Sequence, residues 1–122
     1  MAPSIFENIF SGKTIREEDG HKSCLIQNTI KLLINTEKTG DIRLSIDPSK
    51  IKILTDQDIH TEKNIHKGRL IQLTDEQDLV RAVVDIGIPL NILLPKHELK
   101  DRPVYIGDEV GVFCPVDGFR IL

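Results

Sequence analysis

Apolar and polar residues alternate with a period of two over most of this chain, in short runs broken by polar turns. Asp41 to Ile46 shows it best. Ile42, Leu44 and Ile46 fall on one side of an extended strand and Arg43 and Ser45 on the other, the pattern of a half-buried strand. The same reading places strands at Phe6–Arg16, Ser23–Gln27, Ile30–Ile34 and Ile51–Ile53. It continues with His66–Leu73, Leu79–Ile86, Leu90–Leu94, Glu109–Phe113 and Phe119–Leu122. Turns are expected at Glu17–Gly20, Thr36–Gly40 and Thr74–Gln77, where polar residues and glycine interrupt the alternation. Pro48 and Pro115 end the strands before them, because proline cannot donate to a sheet ladder. Only Pro95–Lys100 reads as a helix, of one or two turns, with Pro95 suited to its first position. Thr55–His60 is polar and reads as a connector.

The alternation comes in two copies. Aligned on Asn8 and Asn64, the pattern Asn-Ile-x-x-Gly-basic-x-Ile occurs twice, 56 residues apart. The first copy is Asn8-Ile9-Phe10-Ser11-Gly12-Lys13-Thr14-Ile15 and the second Asn64-Ile65-His66-Lys67-Gly68-Arg69-Leu70-Ile71. The ends correspond too: Ile46-Asp47-Pro48 through Leu54 answers Phe113-Cys114-Pro115 through Leu122, with one extra residue. Each copy holds five short strands, too little chain to bury a stable core alone. The expected fold is therefore all-β: two tandem small OB-like five-stranded barrels, over residues 6–58 and 62–122, with at most one short helix. Pairing of the two copies, or a dimer, would supply the missing burial.

Composition narrows the function more by exclusion than by assignment. The chain has 122 residues, 39% hydrophobic and 29% charged, with a formal net charge of -3. Acidic residues slightly outnumber basic ones both before and after His60, so neither half is a basic nucleic-acid surface. The aromatic residues are only Phe6, Phe10, Phe113, Phe119 and Tyr105, too few for the stacking platform of a single-strand binder. No apolar run reaches the length of a membrane span, and the N-terminus has no signal-peptide pattern. Cys24 and Cys114 each sit in an apolar stretch and read as buried, reduced thiols, a disulfide being the alternative. There is no phosphate-binding loop, no nucleophile elbow and no zinc-protease motif, and no base–nucleophile set can be assembled, so an enzyme is not expected. His21, His60, His66 and His97 read as surface histidines. Asp75, Glu76 and Asp78 read as an exposed acidic turn, since their spacing matches no calcium loop.

Several stretches carry a family likeness. Lys67-Gly68-Arg69 through Leu122 resembles the transport-associated OB domain at the C-terminus of ABC-transporter ATPase subunits. Its marks are the Gly-Arg strand start, Leu79-Val80-Arg81-Ala82-Val83-Val84-Asp85-Ile86-Gly87, and Ile106-Gly107-Asp108-Glu109-Val110. Leu44 to Ile51 resembles a strand end of the same subunits, and Phe6 to Gly12 the point where their ATPase domain hands over to the regulatory domain. Within that group the chain is most similar to molybdate/tungstate importers, on Ile88-Pro89-Leu90-Asn91-Ile92-Leu93-Leu94 and Thr61-Glu62-Lys63-Asn64.

That resemblance implies a C-terminal regulatory and dimerisation domain that senses cytosolic oxyanion for trans-inhibition, in the cytoplasm at the inner face of the membrane. Its implied partners are a second copy, an ATPase domain and, through it, a membrane permease, with no nucleic acid and no insertion in the membrane. ATP would belong to the ATPase domain alone. The implied oxyanion ligands are Thr61, Lys63 and Asn64, matching the hydroxyl, basic and amide residues of a Ser-x-Arg-Asn motif. Hydroxyl, amide and cation together suit a tetrahedral dianion such as molybdate or tungstate. The chain departs from the pattern at Cys114-Pro115, where the family often has a lysine, and at Lys63, which lacks the planar fork of arginine. An alternative reading makes Asn64 a strand-entry residue that hydrogen-bonds its own turn. Two others are a ligand-free dimerisation module and a stand-alone oxyanion-binding protein.

Overall fold

A computed structural model describes residues 8–54 and 64–122. The alternating runs form ten strands: β1 (Asn8–Arg16), β2 (Lys22–Ile26), β3 (Ile30–Ile34), β4 (Asp41–Ile46), β5 (Lys52–Leu54), β6 (Ile65–Glu76), β7 (Leu79–Asp85), β8 (Pro89–Pro95), β9 (Glu109–Phe113) and β10 (Phe119–Ile121). One short helix, α1 (Lys96–Asp101), follows β8, and a single 3₁₀ turn at Val116–Gly118 precedes β10. The fold is all-β, as the alternation predicts. Strands β3, β4 and β9 keep the expected bounds. Pro95 is the N-cap of α1 rather than its first helical residue.

The main departure is β6. It runs to Glu76, through the expected turn at Thr74–Gln77, because Thr74, Asp75 and Glu76 pair with Arg81, Val80 and Leu79. The reversal is confined to Gln77 and Asp78, with Gln77 at φ 60. Polar letters here mark an exposed hairpin end, held by the Arg81–Glu76 ion pair. A bulge at Ile71 shifts the register between Leu70 and Gln72, which adds local twist to a long strand.

Both sheets are antiparallel and five-stranded, in the orders β10-β4-β1-β2-β3 and β5-β9-β6-β7-β8. Each sheet thus takes its last strand from the other copy of the repeat. β10 pairs with β4 through Phe119–Ile46 and Ile121–Leu44, and β5 pairs with β9 through Lys52–Phe113 and Leu54–Gly111. The crossovers are pinned as well: Asp47 N donates to Gly118 O (3.0 Å), and Leu93 N to Pro48 O (3.0 Å). Asp47 closes its own turn by accepting from Ser49 Oγ (2.7 Å) and Ser49 N (2.9 Å). The hydroxyl bond is the main reason its carboxyl lies below the usual range.

One continuous core results. Ile26, Leu32, Leu44 and Ile46 from one sheet join Leu70, Val84, Leu90, Ile92 and Val112 from the other, all almost fully excluded from solvent. Neither half could bury these side chains alone, which is the physical reason for the exchange. The repeated glycines serve the same packing. A Cβ on Gly12 would stand 2.5 Å from Cys24 Sγ, and one on Gly68 would stand 2.7 Å from Asp85 O.

Candidate functional site

The two asparagines that begin the repeat occupy equivalent positions and do equivalent work. Asn8 opens β1 and is buried, at 3% exposure. Its carboxamide reaches β8 of the other sheet as well as β4 of its own. Nδ2 donates to Asn91 O (2.9 Å) and Ile46 O (3.3 Å), while Oδ1 accepts from Asn91 N (2.7 Å). Asn64, just before β6, does the same to β3: Nδ2 donates to Leu33 O (2.8 Å) and Oδ1 accepts from Leu33 N (2.6 Å). A carboxamide presents one donor and one acceptor side by side, as a strand residue does. Each asparagine therefore replaces one residue of a missing neighbouring strand. Each joins the start of one unit to the third strand of the other.

Asn64 sits at φ 66, the left-handed region that asparagine tolerates better than most residues. Its main-chain O accepts from Cys114 N (3.1 Å), which ties the strand entry to the end of β9. The cross-unit pairing gives Asn64 a structural role beyond its own turn, whose preceding residues, 61–63, lie outside the described residues. Among the described residues Leu33 O is the acceptor for Nδ2. Of the three residues implied as oxyanion ligands, only Asn64 can be placed; Thr61 and Lys63 lie outside the described residues.

The described surroundings of Asn64 are acidic. A shallow cavity of about 570 Å³ beside it is lined by Glu17, Glu18, Asp19, Ser23, Lys31 and Leu33. Lys31 Nζ lies 3.1 Å from Glu17 Oε1. That bond, with a second from Ser23, holds the Glu17 carboxyl below the usual range. An oxyanion at Asn64 would therefore need its positive charge from outside this cavity, which is the role implied for Lys63.

His66 lies two residues beyond Asn64. Contrary to the surface position expected of it, its side chain is half-buried, and Nε2 is buried without a hydrogen-bond partner among the described residues. Burial lowers its pKa, so the neutral ring is favoured. The repeat explains the placement, because His66 matches Phe10 on the inward row of the strand. His21 and His97 are exposed as expected, and His21 Nδ1 pairs with Asp19 (3.0 Å). Cys24 and Cys114 are free and fully buried. Burial raises both thiols, Cys114 to about 12. Among the described residues no group of three His, Cys, Asp or Glu side chains could hold a metal ion, and no helix is long and apolar enough to cross a membrane.

No family model matches the sequence, and no curated protein sequence is similar to it. The fold does have a counterpart among solved structures. The chain superposes on the cytoplasmic molybdate-binding protein ModG, in a form with molybdate bound, with a TM-score of 0.82 and 12% identity. The match covers 99% of this chain and 98% of that one. At this identity the likeness establishes the architecture: both units and their mutual arrangement are shared.

Proposed function

We propose that this chain is a cytosolic oxyanion-binding module of the molybdate/tungstate class, without enzymatic activity. The observation that carries this reading is the end-to-end match to ModG, which shares both units and their packing. In this reading Thr61, Lys63 and Asn64 supply hydroxyl, cation and amide to the anion. The second Nδ2 hydrogen of Asn64 would serve the anion while the rest of its carboxamide holds β3. That division of labour would fix the ligand amide rigidly, because its rotamer is set by two short hydrogen bonds. Calorimetric titration with molybdate and with tungstate, against sulfate as the control, is the direct test. At anion concentrations one hundred times Kd, binding should stabilise the fold by about 2.7 kcal/mol. Thr61→Ala combined with Lys63→Ala should abolish both heat and stabilisation. Absence of heat and of any melting shift at millimolar anion sinks the ligand reading.

The sequence resemblance supports one setting for the module: the C-terminal regulatory and dimerisation domain of an ABC-importer ATP-binding subunit. There, accumulated oxyanion would favour a state that holds the ATPase domains apart, which requires different affinities for the two states. The ModG match supports a second setting, a free-standing oxyanion-binding protein. Both predict association of copies. Light scattering with and without anion tests it, and an anion-independent dimer would favour a purely structural module. The residues upstream of Ser4 in the encoding gene distinguish the settings, since an ATPase domain there is required by the first alone.

A further inference from the structure

The repeat provides an internal comparison that singles out a second concavity. In the first unit, β1, the β2–β3 hairpin and the start of β4 enclose about 520 Å³. In the second unit, the equivalent strands enclose about 500 Å³. Both are built around the repeated Gly-basic pair, but their electrostatics differ. In the second unit Arg69 lies between two acids in register, Asp85 on β7 and Glu109 on β9. Its guanidinium also donates to Gly107 O (2.7 Å). In the first unit Lys13 pairs with Asp41 on β4 but with Leu25 on β2, so one flanking carboxylate has become an apolar residue. Arg43 joins it on the same sheet face, opposite Ser11 and diagonal to Lys13, and Lys38 reaches the rim, where Nζ donates to Leu122 O (3.4 Å). The hairpin adds Gln27 and Asn28, adjacent residues at φ 54 and 59 that line the concavity. Counting side chains, three cations face one acid here, with Lys38 turned to the Leu122 main-chain oxygen, whereas two cations face two acids in the other unit.

We infer that the first-unit concavity is an anion site in its own right, for a small phosphorylated molecule. The ligand would be larger than a single tetrahedral oxyanion and bound between Lys13 and Arg43, with Ser11, Gln27 and Asn28 as neutral donors. Arginine suits phosphate because its planar fork can donate two parallel hydrogen bonds. The inference is independent of the oxyanion reading, since it shares no residue with Thr61, Lys63 or Asn64.

Inorganic pyrophosphate, titrated into ¹⁵N-labelled full chain at low salt and followed by amide NMR shifts, is the test. The expected result is saturable shifts at residues 11–13, 27–28 and 41–43, with none at 67–69 or 85–87. Lys13→Gln with Arg43→Gln should weaken binding at least tenfold, and Lys67→Gln with Arg69→Gln should leave it unchanged. Leu25→Asp, which installs the acid of the second unit, should weaken it as strongly while leaving the cations in place. The well-dispersed spectrum of each variant confirms folding. Equal shifts in both concavities, or unchanged affinity in the Lys13/Arg43 or Leu25 variants, would overturn the proposal. So would molybdate binding there with pyrophosphate rejected. Molybdate shifts confined to Asn64 and its neighbours report the oxyanion reading separately.

Discussion

Asn8→Ala tests the cross-unit clamp most cleanly, because Asn8 sits in an ordinary strand while Asn64 carries a left-handed backbone. The substitution removes two good hydrogen bonds to Asn91, at 2.9 and 2.7 Å, and a longer one to Ile46 O. Each good bond is worth about 1 kcal/mol net, and a buried group left unpaired costs a further 1–3 kcal/mol. Asn91 is only half-buried, so water recovers part of the loss, and the expected total is about 2–3 kcal/mol. For a chain of this length an unfolding entropy of about 2.1 cal/mol/K per residue turns that into a fall in Tm of about 8–12 °C. Urea unfolding followed by circular dichroism at fixed protein concentration is the assay, since the chain has no Trp. The slope of the transition should not change, because the same surface unfolds. Asn64→Gly should lose about 2 kcal/mol, since glycine accepts the positive φ. Asn64→Ala should lose about 1 kcal/mol more, the added cost of a Cβ in the left-handed region. A loss below about 0.5 kcal/mol for Asn8→Ala, or equal losses for the two Asn64 variants, would refute the reasoning.

Other consequences are open to measurement. The His66 ring has a folded pKa below its unfolded value, so the unfolded chain binds more protons between the two. Stability should therefore fall as pH drops below about 6.5. His66→Phe, which restores the residue of the first repeat, should flatten that limb, and an unchanged profile would show that His66 is not its source. Neither thiol should react with Ellman's reagent at pH 8 in the native state, and both should react in denaturant. At a pKa of about 12 roughly one Cys114 in ten thousand is thiolate at that pH, so a fast native phase would contradict the burial. Gly68→Ala forces a Cβ to within 2.7 Å of Asp85 O and of a Val84 methyl. It should cost at least 1–3 kcal/mol, read by the same urea titration; a neutral outcome would mean that β6 and β7 can separate freely.

The all-β class, most strand positions and the short helix after β8 were legible along the chain, because period-two alternation is a local consequence of half-burial. Asp41–Ile46 and Glu109–Phe113 can be placed to the residue for that reason. The repeated Asn and Gly were visible as letters, but their work was not. An asparagine at a strand entry bonds to its own turn unless another strand comes within reach, and only the packing of the two units brings β3 to Asn64 and β8 to Asn8. The exchange of β5 and β10 was equally hidden, since a three-residue strand carries no information about which sheet it joins. The repeated isoleucines even point the other way: Ile9 and Ile71 are about half exposed, while His66 holds an inward place. Local pattern reports which residues prefer burial. Which strand edge meets which, and which polar group must then complete it, depends on how two incomplete units cover each other's core.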